Sequence, residues 1–374
     1  MLPPVLRGIV LAAITTATCA AAGPTLAQNA PLVATTDPAQ ADADFQIQGE
    51  YWGEVLANDN RYEWRGLQVV ALGNGKFQAV VYRGGLPGNG WDQQAKWSLT
   101  GARQGAVATL SGPTLTITLD GYQAVVRDLA GRDRGQWPRV ERSSPTLGAP
   151  PPPWATVLFD GATTENLTSA RITPDGLLEV GADTRRPYRD FSLHVEFRTP
   201  YMPTARGQAR GNSGVYIQGR YEVQILDSFG LDGVNNECGS LYKTRAPDLN
   251  MCLPPLSWQT YDIEFQAARF DASGAKTQSA RITVRHNGVV VQNNVEIPNK
   301  TGGGVKEGPD ARPIKFQNHN NPVHYRNLWI VELQPAEGPA AEGPAAESAP
   351  PCDCTTPAVA PGVRRSLRRT PCAW

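Results

Sequence analysis

The sequence predicts an all-β protein in which a smaller β-rich unit precedes a larger jelly-roll sandwich. Many short segments alternate apolar and polar residues, as strands with one buried face do. After the N-terminal apolar run, no segment keeps a helical period over ten or more residues. The 37 glycines and 32 prolines supply the turns that many short strands require.

Composition narrows the classes of function. A chain of 374 residues is long enough for two or three domains. Lys plus Arg and Asp plus Glu both number 35, so the formal net charge is zero. This balance argues against a nucleic-acid-binding protein, which would carry a basic surface. Nine tryptophans and eleven tyrosines offer rings for stacking on sugars, although most aromatic side chains belong to cores.

The N-terminus is typical of a secretory signal peptide. Residues 1–27 contain Arg7, an alanine-rich apolar run and then small residues. We therefore expect export to the periplasm or the extracellular space. No other run is apolar for long enough to cross a bilayer, which predicts no membrane span. Residues 28–44 are predicted to form a flexible leader.

A first β-rich module is predicted over residues 45–147. Its strand candidates are GLQVVAL, KFQAVVY, AVATLSG, TLTITLD and YQAVV, bounded by turn signals such as Asn74-Gly75. The proline run at 148–153 predicts a stiff linker and a domain boundary. A second β-rich unit follows over 154–333, and the Ala/Glu/Gly/Pro repeat that opens 334–374 predicts a disordered tail.

The second unit is organised around two short strand candidates, GVYIQG and YEVQIL, joined tightly at Gly219-Arg220. Alternation places Glu222 and Gln224 on one face of the second strand and Val223 on the other. A carboxylate and an amide two residues apart could bind sugar hydroxyls or position a base. The alternative is an ordinary solvated sheet face.

Two further segments carry candidate residues. Cys238 and Cys252 bound a Gly/Pro/Asn-rich loop that contains Lys243, and export makes a disulfide between them plausible. The pairing of the three cysteines in the tail stays open. The run Gln317-Asn318-His319-Asn320-Asn321 has more hydrogen-bonding side chains than a turn requires. His319 is therefore either a ligand-facing residue or part of an ordinary loop.

Several segments together resemble the 3-keto-disaccharide hydrolase domain family, also called domain of unknown function 1080. The resemblance rests on VLFDG, YEVQILDSFG, TYDIEFQAARF, ARITVRHNGVVVQNNVEI and PIKFQNHNNPVHYRNLWIVEL, and it covers residues 154–333. The family has Gln-Asp-His-Gly in the final loop, where this chain has Gln317-Asn318-His319-Asn320. The change at 318 removes a carboxylate that could act as a base or metal ligand.

The resemblance implies a concanavalin-like jelly roll whose concave face receives a glycoside oxidised at C3. A C3 ketone acidifies the C2 proton, so a base can remove it and the C1 substituent can leave, with water added afterwards. Glu222 is the candidate base. His319 is a candidate base, acid or ligand to a divalent metal ion, so whether the protein needs a metal cofactor is unknown. Lys243 could face the developing oxyanion. The candidate substrate-binding residues are Tyr216, Gln224, Lys243, Gln317 and Asn318.

Two other classes of function stay open at this point. A carbohydrate-binding, lectin-like module without catalysis would use the same residue types, with Tyr216 and Tyr242 as stacking rings beside Gln224. A surface interaction protein would bind through its N-terminal module. The sequence does not separate a sugar-binding groove from a sugar-cleaving one, because both need polar and aromatic side chains.

Overall fold

The computed structural model describes residues 33–333, so the predicted signal peptide and tail lie outside the described residues. The described part is almost entirely β, which confirms the predicted fold class. Its single α-helix, α1 (Ala43–Ile47), is capped by the Asp42 carboxylate, and one-turn 3-10 helices cover Pro38–Gln40 and Gly207–Ala209. No helix of the described residues is long and apolar enough to span a membrane.

The first β-rich unit is a closed, up-and-down barrel of eight antiparallel strands. These strands are β1 (Gly49–Leu56), β2 (Tyr62–Gly73), β3 (Lys76–Arg83), β4 (Lys96–Gln104), β5 (Val107–Ser111), β6 (Leu115–Leu119), β7 (Gln123–Asp128) and β8 (Asp133–Val140). Pairing of β1 with β8 closes the barrel. An eight-stranded barrel is just wide enough for its side chains to fill it. Trp137 fills much of this interior, and a Cβ at Gly53 would lie 2.4 Å from its ring.

The second β-rich unit is a sandwich of two antiparallel sheets with a small satellite hairpin. Its strands are β9 (Thr156–Phe159), β10 (Leu167–Thr168), β11 (Leu178–Glu179), β12 (Asp183–Thr184), β13 (Phe191–Arg198), β14 (Ser213–Ile217), β15 (Tyr221–Ile225), β16 (Gln259–Gln266), β17 (Arg269–Phe270), β18 (Lys276–Gln278), β19 (Ala280–His286), β20 (Val289–Ile297), β21 (Lys315–Phe316) and β22 (His324–Glu332). One sheet has the order β10-β12-β21-β14-β15. The other runs β11-β22-β13-β16-β19-β20, with β9 also paired to β22.

The sandwich core forms between the facing sides of these two sheets. Val215, Val223 and Phe316 from the five-stranded sheet share one buried cluster with Val195 and Ile263 from the seven-stranded sheet. Because side chains alternate along a strand, the residues of β14, β15 and β21 between these core positions project from the opposite face. That second face of the five-stranded sheet carries the candidate site.

The barrel and the sandwich share buried residues and fall within one compact unit. Val70 of the barrel belongs to the sandwich cluster, and Tyr201 and Leu256 of the sandwich belong to the barrel cluster. Tyr201 also donates its hydroxyl hydrogen to the Asp42 carboxylate at 2.8 Å, within the segment predicted to be a flexible leader. The domain boundaries themselves stay predictions.

The chain that joins the two β units is held by carboxylates on the outer face of the seven-stranded sheet. Gly148 donates its backbone N–H to Glu196, and Thr146 donates its hydroxyl to Asp262 at 2.7 Å. His194 lies between these acids, 2.6 Å from Asp262 Oδ1 and 3.5 Å from Glu196 Oε1. Burial lowers the pKa of His194, but hydrogen bonds to the two carboxylates outweigh it and raise the pKa above the ordinary value. The segment predicted as a linker is thus bonded to the sandwich.

Candidate functional site

The candidate site begins with three neighbouring strands whose polar residues face the same way. In the register of β14, β15 and β21, Tyr216 pairs with both Glu222 and Lys315, and Gly214 pairs with Gln224. Residues paired across antiparallel strands share a face of the sheet. Tyr216, Glu222 and Lys315 therefore project from the face opposite the sandwich core.

Glu222 is the buried carboxyl at the centre of this face. It is 2% exposed, and its Oε2 has no hydrogen-bond partner. Burial raises its pKa to about 7, because the charged form loses its hydration, while interaction with the Tyr216 hydroxyl opposes this rise. When the Gln224 amide takes the orientation that satisfies its neighbours, its nitrogen donates to Glu222 Oε1 at 3.0 Å. Glu222 thus combines a near-neutral pKa with a buried oxygen that has no hydrogen-bond partner.

A glycine-rich segment at 302–304 lies against this centre. A Cβ at Gly303 would lie 2.2 Å from Tyr216 Oη, so no side chain fits at this position. Next to it, a Cβ at Gly302 would lie 3.1 Å from both the Tyr242 ring and the Lys243 Cβ. The segment is anchored to β15, where the Glu222 N–H donates to the Thr301 hydroxyl at 2.8 Å. Segment 302–304 therefore helps to cover Tyr216.

Lys243 lies in the loop between Cys238 and Cys252, and this loop follows the outer edge of β15. Backbone bonds of about 3.0 Å join Gly239 and Ser240 to Gln224, and the Tyr242 N–H donates to the Glu222 carbonyl at 3.1 Å. The exposed Lys243 Nζ is 5.3 Å from the centre of the Tyr242 ring. The loop thus brings one ammonium group beside the strand that carries Glu222.

Gln317 continues the polar row on the other side of β14. Its N–H donates to the Gly214 carbonyl at 2.9 Å, and its own carbonyl accepts from the Ser213 hydroxyl at 2.6 Å. Its side-chain Oε1 is buried and has no hydrogen-bond partner. Gln317 thus joins Tyr216, Glu222 and Gln224 on one face.

Asn318 and His319 are exposed on the loop that follows this row. The Asn318 Cβ is 3.6 Å from the position that a Cβ would take on Gly181. Within residues 33–333, no hydrogen bond joins His319 to Glu222. The catalytic role of His319 and the binding role of Asn318 stay predictions.

Sequence reasoning missed four residues of this neighbourhood: Asp183, Thr301, Gly303 and Lys315. Asp183 pairs with Lys315 across β12 and β21, and its Oδ1 is buried with no hydrogen-bond partner. Lys315 was detectable, because it stands two residues before Gln317 and so shares its face. The run Gly302-Gly303-Gly304 was a second signal, since consecutive glycines often mark close backbone approach.

Three other groups near β15 have structural partners. Asp227 is buried against Arg210, with Oδ2 2.6 Å from Nε, so it is not a second carboxylate facing Glu222. Cys238 and Cys252 are buried with their side chains in contact, and burial raises the pKa of the Cys252 thiol. Their disulfide stays a prediction.

Among residues 33–333, no group of three or more His, Cys, Asp or Glu side chains is arranged to hold a metal ion.

Comparisons with known proteins identify the sandwich. Residues 154–331 match the 3-keto-alpha-glucoside-1,2-lyase-like domain. A solved structure of a candidate glycosyl hydrolase from Parabacteroides distasonis is 35% identical to this chain. The matched region is 49% of this chain and 85% of the glycosyl hydrolase chain, and the TM-score is 0.46. The sandwich therefore belongs to the 3-keto-alpha-glucoside-1,2-lyase-like domain family over residues 154–331. The resemblance seen in the sequence is therefore confirmed.

Two other solved structures are less similar to this chain. Two further candidate glycosyl hydrolases from Parabacteroides distasonis are 17% and 21% identical, and each covers 48% of this chain. They are matched over 94% and 99% of their own lengths, with TM-scores of 0.36 and 0.34. The search of curated proteins found no match. Family membership supports a carbohydrate-active protein.

Proposed function

We propose that this protein is an exported enzyme that cleaves 3-keto-glycosides, with Glu222 as the base. The observation that carries the proposal is a buried carboxyl whose pKa is raised to about 7 and whose Oε2 has no hydrogen-bond partner. A general base works best when its pKa lies near the operating pH. Family membership supports a sugar substrate, and the alanine-rich N-terminus supports export.

The proposed reaction starts with removal of the C2 proton by the Glu222 carboxylate. The electron pair of the C2–H bond forms an enolate with the C3 ketone. Collapse of this enolate restores the C3 ketone, forms a double bond between C1 and C2, and breaks the bond from C1 to the leaving oxygen. The leaving oxygen takes up a proton, and water then adds across the double bond. Neither an oxidant nor a reductant is consumed.

Three other side chains have proposed roles in this reaction. Lys243 supplies the positive charge for the enolate oxygen, because its ammonium lies in the loop beside β15. Gln224 holds Glu222 through Oε1 and leaves Oε2 for the C2 proton. His319, exposed on the neighbouring loop, is the proposed acid for the leaving oxygen.

Substrate access is part of the proposal, because Glu222 is 2% exposed. Segment 302–304 contains three glycines and lies against Tyr216 and Lys243. Glycine has the greatest backbone freedom of any residue. We infer that this segment moves away from Tyr216 to admit the sugar and returns to exclude bulk water.

The test uses a 4-nitrophenyl glycoside in its 3-keto and unoxidised forms, with and without added divalent metal ions. The purified chain should release nitrophenol from the 3-keto form alone, because the unoxidised sugar has no acidic C2 proton. Glu222→Gln should lower the rate by about 10²–10⁴-fold, which is the usual contribution of a general base. Glu54→Gln, at an exposed position on the barrel, is the matched control.

Three results would reject the enzyme proposal. They are equal cleavage of both sugar forms, an unchanged rate in Glu222→Gln, and binding of the 3-keto-glycoside without turnover. The last result would favour the carbohydrate-binding alternative.

A further inference from the structure

A large cavity lies between one end of the barrel and the sandwich, and it contains no residue of the site described above. Its volume is about 700 Å³, within the range of small-molecule sites. The barrel contributes α1, the start of β1, the end of β8 and the turn at 120–122. The sandwich contributes residues 254–257.

The wall of this cavity contains a buried donor without a partner. Gln48 lines the cavity and is 1% exposed. Its Oε1 accepts the Ala71 N–H at 3.0 Å, whereas its Nε2 has no hydrogen-bond partner. Because Nε2 has almost no accessible surface, Gln48 shapes the wall through its bond to β2 and gives a ligand no donor.

The charges on the wall are balanced. The cationic residues are Arg103, Arg139 and Arg142, and the acidic ones are Glu50, Asp120 and Glu141. Glu50 and Arg142 neutralise each other through two bonds of 2.6 and 2.7 Å. A strongly charged ligand would find no excess of opposite charge, so the wall favours an uncharged ligand that both donates and accepts hydrogen bonds.

Apolar surfaces lie among these polar groups. Phe45 and Tyr122 come from the barrel, and Pro254 and Pro255 come from the sandwich. Tyr122 is 84% exposed, so one face of its ring is free for a ligand. A sugar has C–H faces that stack on such rings and hydroxyl edges that both donate and accept. We propose that this cavity binds an uncharged saccharide of two or three sugar units, separately from the Glu222 site.

Binding is tested by isothermal titration calorimetry with two neutral trisaccharides, maltotriose and cellotriose, and with the acidic trisaccharide trigalacturonate. The full chain with Glu222→Gln is used, so the readout needs no turnover and does not depend on the proposed reaction. We expect at least one neutral trisaccharide to bind with a Kd below about 10 mM and more tightly than the acidic one.

Two variants in that background locate the binding. Tyr122→Ala should weaken it by about tenfold or more, because a stacking ring is lost from an exposed position. Tyr62→Ala is the matched control, because Tyr62 is 66% exposed at the opposite end of the barrel.

Three outcomes would overturn the proposal. The first is that neither neutral trisaccharide binds below about 10 mM, and the second is that the acidic trisaccharide binds more tightly. The third is a Kd for the neutral trisaccharide that changes by less than about twofold when Tyr122→Ala is introduced. Because Tyr122 is exposed, its variant should fold normally.

Discussion

Glu222→Gln should stabilise the protein at alkaline pH and much less at acidic pH. The folded-state pKa of Glu222 is about 7, against an ordinary value of 4.5. Below pH 4.5 both the folded and the unfolded states hold the proton, so the raised pKa costs nothing. Between these two values the unfolded state releases its proton first, and stability therefore falls as pH rises. Above pH 7 the cost is complete, at about 3 kcal/mol for a pKa difference of this size.

The assay compares urea unfolding of Glu222→Gln and the parent protein between pH 4 and pH 8. The difference in their unfolding free energies should grow by about 3 kcal/mol in favour of the variant, because glutamine cannot ionise. Hydrogen bonds lost in the variant change its unfolding free energy by the same amount at every pH. They therefore do not affect how the difference between variant and parent changes with pH. Glu54→Gln, on the exposed barrel surface, controls for the loss of one carboxylate. A difference that stays constant, or that shifts in favour of the parent, would refute the assignment of a raised pKa.

Three further predictions follow from the same region. Turnover of a 3-keto-glycoside should rise with pH through about 7, because Glu222 must be ionised to accept a proton, and a flat profile from pH 5 to 9 would contradict this role. Gly303→Ala should destabilise the fold by about 1–3 kcal/mol, because its Cβ would overlap Tyr216 Oη. Adding Tyr216→Phe should restore part of this stability, which a double-mutant cycle measured by urea unfolding would detect. Non-reducing peptide mapping of chain secreted by an exporting host should find Cys238 joined to Cys252, and two free thiols would contradict the predicted disulfide.

Sequence periodicity predicted the local β structure well and its long-range arrangement poorly. Segments such as KFQAVVY and TLTITLD were recognised because their apolar residues alternate over a whole strand. Strands β1, β4 and β8 were missed, since glycine, proline or charged residues interrupt GEYWGEVL, KWSLTGARQ and DRGQWPRV. Closure of the barrel depends on pairing between β1 and β8, which lie far apart in the chain, and no local pattern specifies it.

In the candidate site, too, local strand patterns were predictable from the sequence and long-range contacts were not. Alternation along YEVQIL places Glu222 and Gln224 on one face, as the register shows. The pairing of Tyr216 with Lys315 and the approach of Gly303 to Tyr216 arise from the tertiary fold, so they could not be predicted from strand parity alone. The raised pKa of Glu222 has the same origin, because it results mainly from burial.

The bonded connection between barrel and sandwich bears on how such proteins can evolve. Glu196 and Asp262 receive hydrogen bonds from residues that precede the sandwich, and His194 lies between them. If a descendant lost the barrel together with this connection, Glu196 would keep Arg326 and Asp262 would keep His194, but each carboxylate would lose one hydrogen bond. Natural variants without the barrel should therefore carry compensating replacements at 194, 196 and 262. Gain or loss of the N-terminal module would then change residues on the side of the sandwich opposite the Glu222 face.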